Sequence, residues 1–258
     1  MNDDLKYILS ILNENGYEAY LVGGYVRDYL LNIKSLDFDI CTSAKEGDLK
    51  ELFDVLDSNY GSCKINYNNN IYEITSFRKD LNYLNNRKPE KIEYVDNLYD
   101  DLQRRDFTIN TICMDKDGNI IDLLGGRKDI DDKIIKVVGN TDLKIKEDSL
   151  RILRAIRFAT VLNFTLDDEL YSAIKKYGYL VKNLSFYRKR QELDKIFLSD
   201  NIEYGIKLLK DLKIDKFLEI SLDFKKTSLI GIWAQIDNMN YPFTREEMKL
   251  INDYKKNI

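Results

Sequence analysis

The order of apolar and polar residues divides the chain into a mixed first part and a helical second part. Near the start, Tyr20–Val22 predicts the end of a strand, Gly23–Gly24 a turn, and Val26–Leu31 the beginning of a helix. From about Leu143 onward, apolar residues recur with helical spacing. We therefore predict an α/β region up to about residue 140 and an all-helical remainder.

Further strand signals follow within the first part. Asn tolerates the backbone geometry of a tight turn, so Asn68–Asn70 predicts the turn of a hairpin. The predicted strands and their turns are Leu36–Thr42, the hairpin Lys64–Phe77, Lys91–Val95, and Ile120–Ile121 after a turn at Asp117–Gly118.

Composition excludes several chemistries. The 258 residues include 40 basic and 44 acidic side chains and no histidine, for a net charge of −4. Without histidine, the chain has no His metal site, His general base or Ser-His triad. Any reaction must therefore use carboxylates, amines, hydroxyls, thiols or a bound metal ion.

The three cysteines and the first residues of the chain indicate the cellular compartment of the protein. The number of cysteines is odd and their spacing is wide, which favours buried free thiols over a disulfide framework or a zinc site. They are Cys41, Cys63 and Cys113. The first residues are acidic rather than basic, and no apolar run reaches the ~20 residues that span a bilayer. We expect a cytoplasmic protein with no membrane partner.

A glycine turn and an acidic pair are the first candidate site. Gly23 and Gly24 let the backbone approach a phosphate at a helix start, and Arg27 lies within reach of the same phosphate. Asp37 and Asp39 are two apart in a predicted strand and so share a face. Two neighbouring carboxylates favour a cation between them, most often Mg²⁺ with phosphate completing its shell.

Two other segments add charged candidates. Glu73, in a predicted strand, is either a third carboxylate at this pair or an exposed strand residue. Arg104 and Arg105, flanked by Asp106, suit a triphosphate clamp in which a carboxylate orients one arginine; a surface ion-pair cluster is the alternative.

Three arginines follow an aspartate at every third position. On one α-helix, such residues form an oblique ridge ~13 Å long. Ile152 and Ile156 then lie on the other side of the helix and can be buried. A carboxylate and a guanidinium together can read the pairing edge of cytosine or adenine and disfavour uracil and guanine. The ridge residues are Asp148, Arg151, Arg154 and Arg157.

Charge is unevenly distributed in the second part. Residues 171–195 carry seven basic residues and two acidic ones, a net of +5. Such a segment predicts either a surface for a polyanion or an ordinary solvated helix face. The residues that we expect to bind RNA are Lys175, Lys176, Lys182, Arg188, Lys189 and Arg190.

Taken in order, five motifs resemble the class II tRNA nucleotidyltransferases, which are the CCA-adding enzymes and their bacterial poly(A) polymerase relatives. They cover about residues 18–165, and a weaker similarity continues through 184–193. The motifs read GGYVRDYLL, DFDICT, EITSFR, DLQRRDFTIN and EDSLRILRAIRF.

This resemblance implies an α+β fold: a polymerase-β-like head with a small mixed sheet, followed by an all-helical neck and a shortened body. The expected domains are a head over 1–140, a neck with the nucleotide-selecting helix over 141–205, and a body over 206–258. The family's longer body and tail are mostly missing here, so we expect tRNA to be held by the neck and residues 171–195, with steep salt dependence.

The resemblance also implies residue roles. Asp37 and Asp39 would hold magnesium, and Asp148 and Arg151 would select CTP or ATP. A flexible loop after EITSFR would include Tyr83 and Arg87; Asn85 and Lys88 replace its usual acid and arginine, and Tyr187 replaces the glutamate usual in the neck. The residues implied to bind the triphosphate are Gly24, Arg27, Arg105, Arg154 and Arg157, with Gly23 in the same turn.

The leading hypothesis is template-independent addition of C, C and A to the 3′ end of tRNA, with release of pyrophosphate. The nearest alternatives are partial addition of CC or A, and poly(A) synthesis. A non-catalytic RNA-binding protein and a nucleotidyltransferase for small molecules are the alternatives from other classes.

Overall fold

The computed structural model describes residues 1–35, 38–84, 88–236 and 240–256. Its backbone divides into two units. The first comprises residues 1–83, 89–132 and 136–139, and the second comprises residues 84–88, 133–135 and 140–258. The head, neck and body bounds predicted above remain a prediction.

The first unit is built on a seven-stranded mixed sheet with the strand order β3-β4-β5-β2-β1-β8-β9. Strands β2 and β5 are parallel, and the other neighbouring pairs are antiparallel. The strands are β1 (Ala19–Val22), β2 (Asp39–Thr42), β3 (Asp54–Asn59), β4 (Ser62–Tyr67), β5 (Asn70–Ser76), β8 (Cys113–Met114) and β9 (Ile120–Ile121), and a separate two-stranded sheet holds β6 (Arg78–Leu84) and β7 (Lys88–Tyr94).

Helices cover the sheet. Along α1, the residues Leu5, Ile8, Leu9 and Leu12 are fully buried at helical spacing, and α1 packs on β1. Another buried cluster includes Cys41 and Cys113, and all three cysteines are free and buried, as predicted. The helices are α1 (Asp3–Glu14), α2 (Gly24–Leu30), α3 (Glu46–Leu52), α4 (Leu98–Gln103) and α5 (Gly126–Asp131), with a 3₁₀ turn at Thr108–Asn110.

The hairpin prediction is confirmed. Strands β4 and β5 pair directly, and Asn68 and Asn69 at their turn both have φ values above +45°. Asparagine adopts this left-handed backbone more readily than other side chains do, so the sequence specifies the turn locally.

The second unit is helical, as the spacing predicts. Helix α7 packs mainly on α9 and α10, and α12 packs on α13. One feature departs from the prediction: the two-residue strands β10 (Ile134–Ile135) and β11 (Thr165–Leu166) pair in parallel. The helices are α6 (Thr141–Glu147), α7 (Leu150–Leu162), α8 (Asp168–Tyr177), α9 (Phe186–Phe197), α10 (Ile202–Asp211), α11 (Asp215–Leu218), α12 (Leu229–Gln235) and α13 (Arg245–Lys255), with a 3₁₀ turn at Gly178–Asn183. Among the described residues, no helix is both long and apolar enough to cross a bilayer.

Candidate active site

The turn between β1 and α2 brings a glycine against a carboxylate. Gly23 has φ +81°, which L side chains rarely adopt. A Cβ at this position would lie 3.4 Å from Oδ2 of Asp39, whose strand pairs with the residue before the glycine. Glycine is therefore favoured here by the backbone conformation, and a Cβ at this position would lie at van der Waals distance from the Asp39 carboxylate.

Glu73 lies beside Asp39 on the neighbouring strand. The two are register partners in the parallel pair β2–β5, about 4.8 Å apart across the sheet, so their side chains share a face. Glu73 is exposed and accepts a hydrogen bond from the Ser62 hydroxyl at 2.5 Å. Two carboxylates thus lie in one row beside a glycine turn, the oxygen donor set that hard divalent cations prefer.

Arg27 is held in a fixed position over the glycine turn. Its side chain is buried, and one terminal nitrogen lies 3.6 Å from where a Cβ on Gly24 would be. The guanidinium donates to Asp28 at 2.7 and 2.9 Å and to Asn110 at 2.8 Å, and Asn110 in turn donates to Asp106 at 3.2 Å. This network connects the GGYVRDYLL motif to the DLQRRDFTIN motif, and it holds the positively charged Arg27 guanidinium in place at the turn.

Arg105 is oriented by Asp101 rather than by Asp106. Its Nε and one terminal nitrogen donate to Asp101 Oδ2 at 3.3 and 3.0 Å, and Arg104 donates to the other oxygen at 2.8 Å. Burial alone would raise the pKa of Asp101, but Arg105 and Arg104 hold it below its usual value. The fully buried Asp101 is thus a charged anchor that fixes two guanidinium groups.

Asp148 does not belong to the helix that carries the arginines, which corrects the predicted four-residue ridge. Helix α6 ends at Glu147, and Asp148 has extended backbone angles. Its side chain accepts from the Leu150 amide at 3.0 Å at the start of α7. The physical reason is that a short carboxylate satisfies an unpaired amide at a helix start better than it fits a helix interior.

Arg151 is buried and turned toward the end of α6. Its guanidinium donates to the Lys144 carbonyl at 2.7 Å and lies 3.4 Å from the Glu147 carboxylate. Asp148 and Arg151 remain neighbours, since the Arg151 amide donates to the Asp148 carbonyl at 3.1 Å. The junction between α6 and α7 thus holds both residues predicted to read the base.

The other two arginines of α7 differ in environment. Arg154 is half-buried, 5.4 Å from the Phe158 ring. Arg157 is buried and forms a 2.6 Å ion pair with Glu192 of α9. As predicted, Ile152 and Ile156 are fully buried. In this structure the anionic partner of Arg157 is the Glu192 carboxylate. The contact of Arg157 with a triphosphate remains a prediction.

The predicted basic surface is smaller than the sequence indicates. Lys189 is 1% exposed and donates to the Phe217 carbonyl at 3.0 Å, because it lies on the same face of α9 as Leu193 and Ile196. Arg190 is paired with Asp194 and Glu247. These two side chains are therefore engaged inside the helical unit. The remaining four, Lys175, Lys176, Lys182 and Arg188, keep exposed or half-buried side chains.

Three predicted site residues fall at the limits of the described structure. Asp37 and Arg87 lie outside the described residues, as does the side chain of Tyr83. Their roles rest on the sequence motifs alone.

Comparison with protein families identifies both parts of the chain. Residues 19–136 match the family model described as "Poly A polymerase head domain", and residues 163–220 match "Probable RNA and SrmB- binding site of polymerase A". The CCA-adding enzyme of Staphylococcus haemolyticus is 36% identical over 98% of this chain. The chain belongs to the family of class II CCA-adding enzymes and poly(A) polymerase heads.

Other relatives agree with the family assignment. The CCA-adding enzyme of Lactobacillus johnsonii is 38% identical over 88% of the chain. The crystal structure of the Bacillus stearothermophilus CCA-adding enzyme in complex with CTP has a TM-score of 0.78, with 34% identity over 84% of the chain. A tRNA nucleotidyltransferase complexed with a primer tRNA and an incoming ATP analogue has a TM-score of 0.69 and 28% identity over 88% of the chain.

The chain is shorter than these family members. It spans 66% of the S. haemolyticus enzyme, 61% of the L. johnsonii enzyme, 54% of the B. stearothermophilus structure and 66% of the primer tRNA complex. The similarity nevertheless includes the mixed-sheet head and the helical region after it, and it confirms the predicted α+β, polymerase-β-like fold.

Nucleotidyltransferases of this polymerase-β-like family typically use a divalent metal ion. Among the described residues, Asp39 and Glu73 supply two oxygen ligands of the kind that such an ion prefers, and no cluster of three or more candidate ligands is present. Asp39 is half-buried, Glu73 shares its row, and a side chain on Gly23 would occupy the space next to the Asp39 carboxylate.

Three supporting residues were not found from the sequence. Asp101 precedes Arg105 by four positions on or next to α4, and this i,i+4 spacing is a signal that identifies the pair in retrospect. Asn110 and Glu192 contact arginines 83 and 35 positions away, and local sequence carries no signal for contacts at such separation.

Proposed function

We propose that this chain is a tRNA nucleotidyltransferase that adds C, C and A to the 3′ end of tRNA from CTP and ATP. The observation that supports this most strongly is the row of Asp39 and Glu73 beside the Gly23 turn, in a chain of the CCA-adding family. A cytoplasmic location is part of the proposal.

The proposed reaction is in-line transfer of a nucleotide. The 3′ hydroxyl of the tRNA attacks the α-phosphate of CTP or ATP, the new phosphodiester bond forms, and the bond to pyrophosphate breaks. A Mg²⁺ ion held by Asp37 and Asp39, with Glu73 as a third carboxylate, would activate the hydroxyl and stabilise the negative charge of the departing pyrophosphate.

Besides the metal ion, arginine side chains supply the positive charge that the triphosphate requires. Arg27 is fixed by Asp28 and Asn110 before any nucleotide binds, so little reorganisation is needed when phosphate arrives. Arg105 is preset in the same way by Asp101. We assign the triphosphate to these two, and Gly24 leaves room for the phosphate beside Arg27.

Base choice is assigned to Asp148 and Arg151. Cytosine and adenine both offer an exocyclic amine beside a ring acceptor, which suits a carboxylate next to a guanidinium. Uracil and guanine present a carbonyl where the amine should be, and that oxygen would face the Asp148 carboxylate. The neighbouring positions of the two residues at the α6–α7 junction support this assignment.

Replacing Arg151 with alanine is expected to relax base choice more than it weakens triphosphate binding. The variant loses the guanidinium that donates to the ring acceptor of the base, and this contact accounts for ~1–3 kcal/mol of discrimination, or about 5- to 150-fold. Incorporation of each of the four nucleotides into tRNA lacking CCA measures this, with Arg154→Ala as the matched control on the same helix. Full exclusion of UTP and GTP by the Arg151 variant would contradict the assignment.

Replacing Gly23 with alanine is expected to abolish most activity at a modest cost in stability. The positive φ costs about 1–3 kcal/mol of strain, and a shift of the turn that relieves this strain would also move the backbone beside the Asp39 carboxylate, which lies 3.4 Å from the new Cβ. Gly16→Ala is the matched control, because Gly16 has φ +85° but open space around it. Thermal unfolding should show similar losses for the two variants, and only Gly23→Ala should lose incorporation. Equal activity of the two would refute the role of this close approach.

Incubation with labelled CTP and a transcribed tRNA that lacks its CCA end tests the proposal. We expect CTP-dependent growth of the tRNA with release of one pyrophosphate per nucleotide added. An unchanged tRNA in the presence of Mg²⁺ would contradict it.

A further inference from the structure

Helix α13 and the residue that caps its C-terminus carry a basic stripe, which we define as Arg245, Lys249, Asn252 and Lys256. Successive members are four, three and four positions apart, so on a helix they fall within ~60° of arc. All four are exposed, whereas Ile251 is fully buried and Tyr254 is half-buried toward α12. The stripe therefore lies along the outer face of the helix, opposite its packed side.

A groove runs along this stripe. It is shallow and open to solvent, and it is also lined by Phe243, Thr244, Met248 and Asp253. Arg245 and Lys249 make no hydrogen bond or ion pair with the part of the chain that the structure describes. Lys256 lies 3.2 Å from Asp253, but its side chain is 75% exposed, so this pair is weak. Three cations against one acid give the groove a positive charge.

The stripe is held firmly on the helical unit. Arg190 of α9 donates to the Glu247 carboxylate at 3.1 Å and to the Pro242 carbonyl, and its guanidinium lies 4.2 Å from the centre of the Phe243 ring. The hydrogen bond from Arg190 lowers the pKa of Glu247 to about 2, so this pair stays charged at neutral pH. The cations on α13 are consequently presented by a fixed helix rather than by a flexible segment.

We propose that the basic stripe binds the phosphate backbone of the RNA substrate. The three cations are spread over ~16 Å of helix, which matches a chain of phosphates better than a single anion. Cations arranged along a groove are typical of surfaces that follow an RNA strand. The inference rests on the proposed function for the identity of the RNA, and it assigns a surface outside residues 171–195.

Its test is RNA binding, which does not require catalysis. The full chain with Arg245, Lys249 and Lys256 all replaced by glutamine keeps helix-forming side chains and loses three positive charges. Fluorescence anisotropy with a labelled tRNA lacking CCA, over a range of salt concentrations, gives the Kd and its salt dependence. We expect a ~10-fold or larger rise in Kd near 0.1 M salt and a fall of about 2 in the slope of log K against log salt.

A matched control separates the stripe from overall charge. Glutamine at Lys6, Lys225 and Lys226 removes the same charge from exposed positions outside the stripe and outside the matched segment 163–220, and should leave the Kd within about twofold. Equal loss in both triple variants, or no loss in the stripe variant, would overturn the proposal. Tight binding of the stripe to anionic phospholipid vesicles, without binding to the RNA, would also overturn it.

The same variants distinguish this inference from the proposed function. If the stripe mediates RNA binding, CTP incorporation at saturating RNA should be unchanged in the stripe variant, and only the RNA concentration required should rise. If the wild-type chain binds the RNA through the stripe but adds no nucleotide, the proposed reaction is refuted, whereas the RNA-binding role of the stripe is supported.

Discussion

Replacing Asp39 with alanine should reduce CTP incorporation by at least ~10³-fold and leave the fold intact, since metal and electrostatic stabilisation supply much of the rate of such reactions. Asp39 is half-buried and accompanied by Glu73, so removing its carboxylate also relieves repulsion and should not unfold the sheet. Single-turnover incorporation into tRNA lacking CCA measures the effect, with circular dichroism to confirm the fold.

Asp57→Ala is the matched control for this experiment. Asp57 lies in the same row of the sheet, two strands beyond Glu73 and next to Lys64, and it is exposed. Its loss should leave incorporation within about twofold, because charges at that distance are screened in water. Near-normal turnover by the Asp39 variant would refute its catalytic role, and an equal loss in both variants would point to a general charge effect.

Replacing Glu192 with alanine should lower the free energy of unfolding by about 3–5 kcal/mol, because the buried Arg157 guanidinium would lose its partner. The pair joins α7 to α9, and both side chains are at most one-tenth exposed. Urea unfolding measures the change. Replacing both residues with methionine should restore much of the loss, since no unpaired charge is then buried.

Asp223→Asn provides the comparison for a solvent-exposed pair. Asp223 lies 2.7 Å from Lys210 and is 83% exposed, so its loss should change stability by no more than about 1 kcal/mol. A Glu192 variant as mild as this one would show that the buried pair contributes little. A double methionine variant as unstable as Glu192→Ala would show that the loss arises from packing rather than from charge.

Local patterns predicted those parts of the molecule whose structure depends on near neighbours. The asparagines at 68 and 69 specify the β4–β5 turn through their backbone preference. The apolar spacing around Ile152 and Ile156 correctly predicts a helix with those two residues inside. The two glycines likewise correctly predict the turn between β1 and α2, where Gly23 has φ +81°.

The same patterns failed where a residue's role depends on distant contacts. A spacing of three cannot distinguish a helical position from a cap, so the pattern predicts Asp148 on α7 although the residue precedes that helix. Charge counts treat all basic residues alike, yet Lys189 falls on the buried face of α9, and Arg190 is satisfied by Glu247, 57 positions away. The partners of Arg27 and Arg157 are similarly far away in sequence.

Sequencing of tRNA 3′ ends tests the central claim most directly. A transcribed tRNA without its CCA end is incubated with this chain, Mg²⁺, and CTP, ATP or both. We predict ends of CC with CTP alone and of CCA with both nucleotides, with no further growth. Long adenosine tails, a stop at CC with both nucleotides present, or unextended ends would contradict the account.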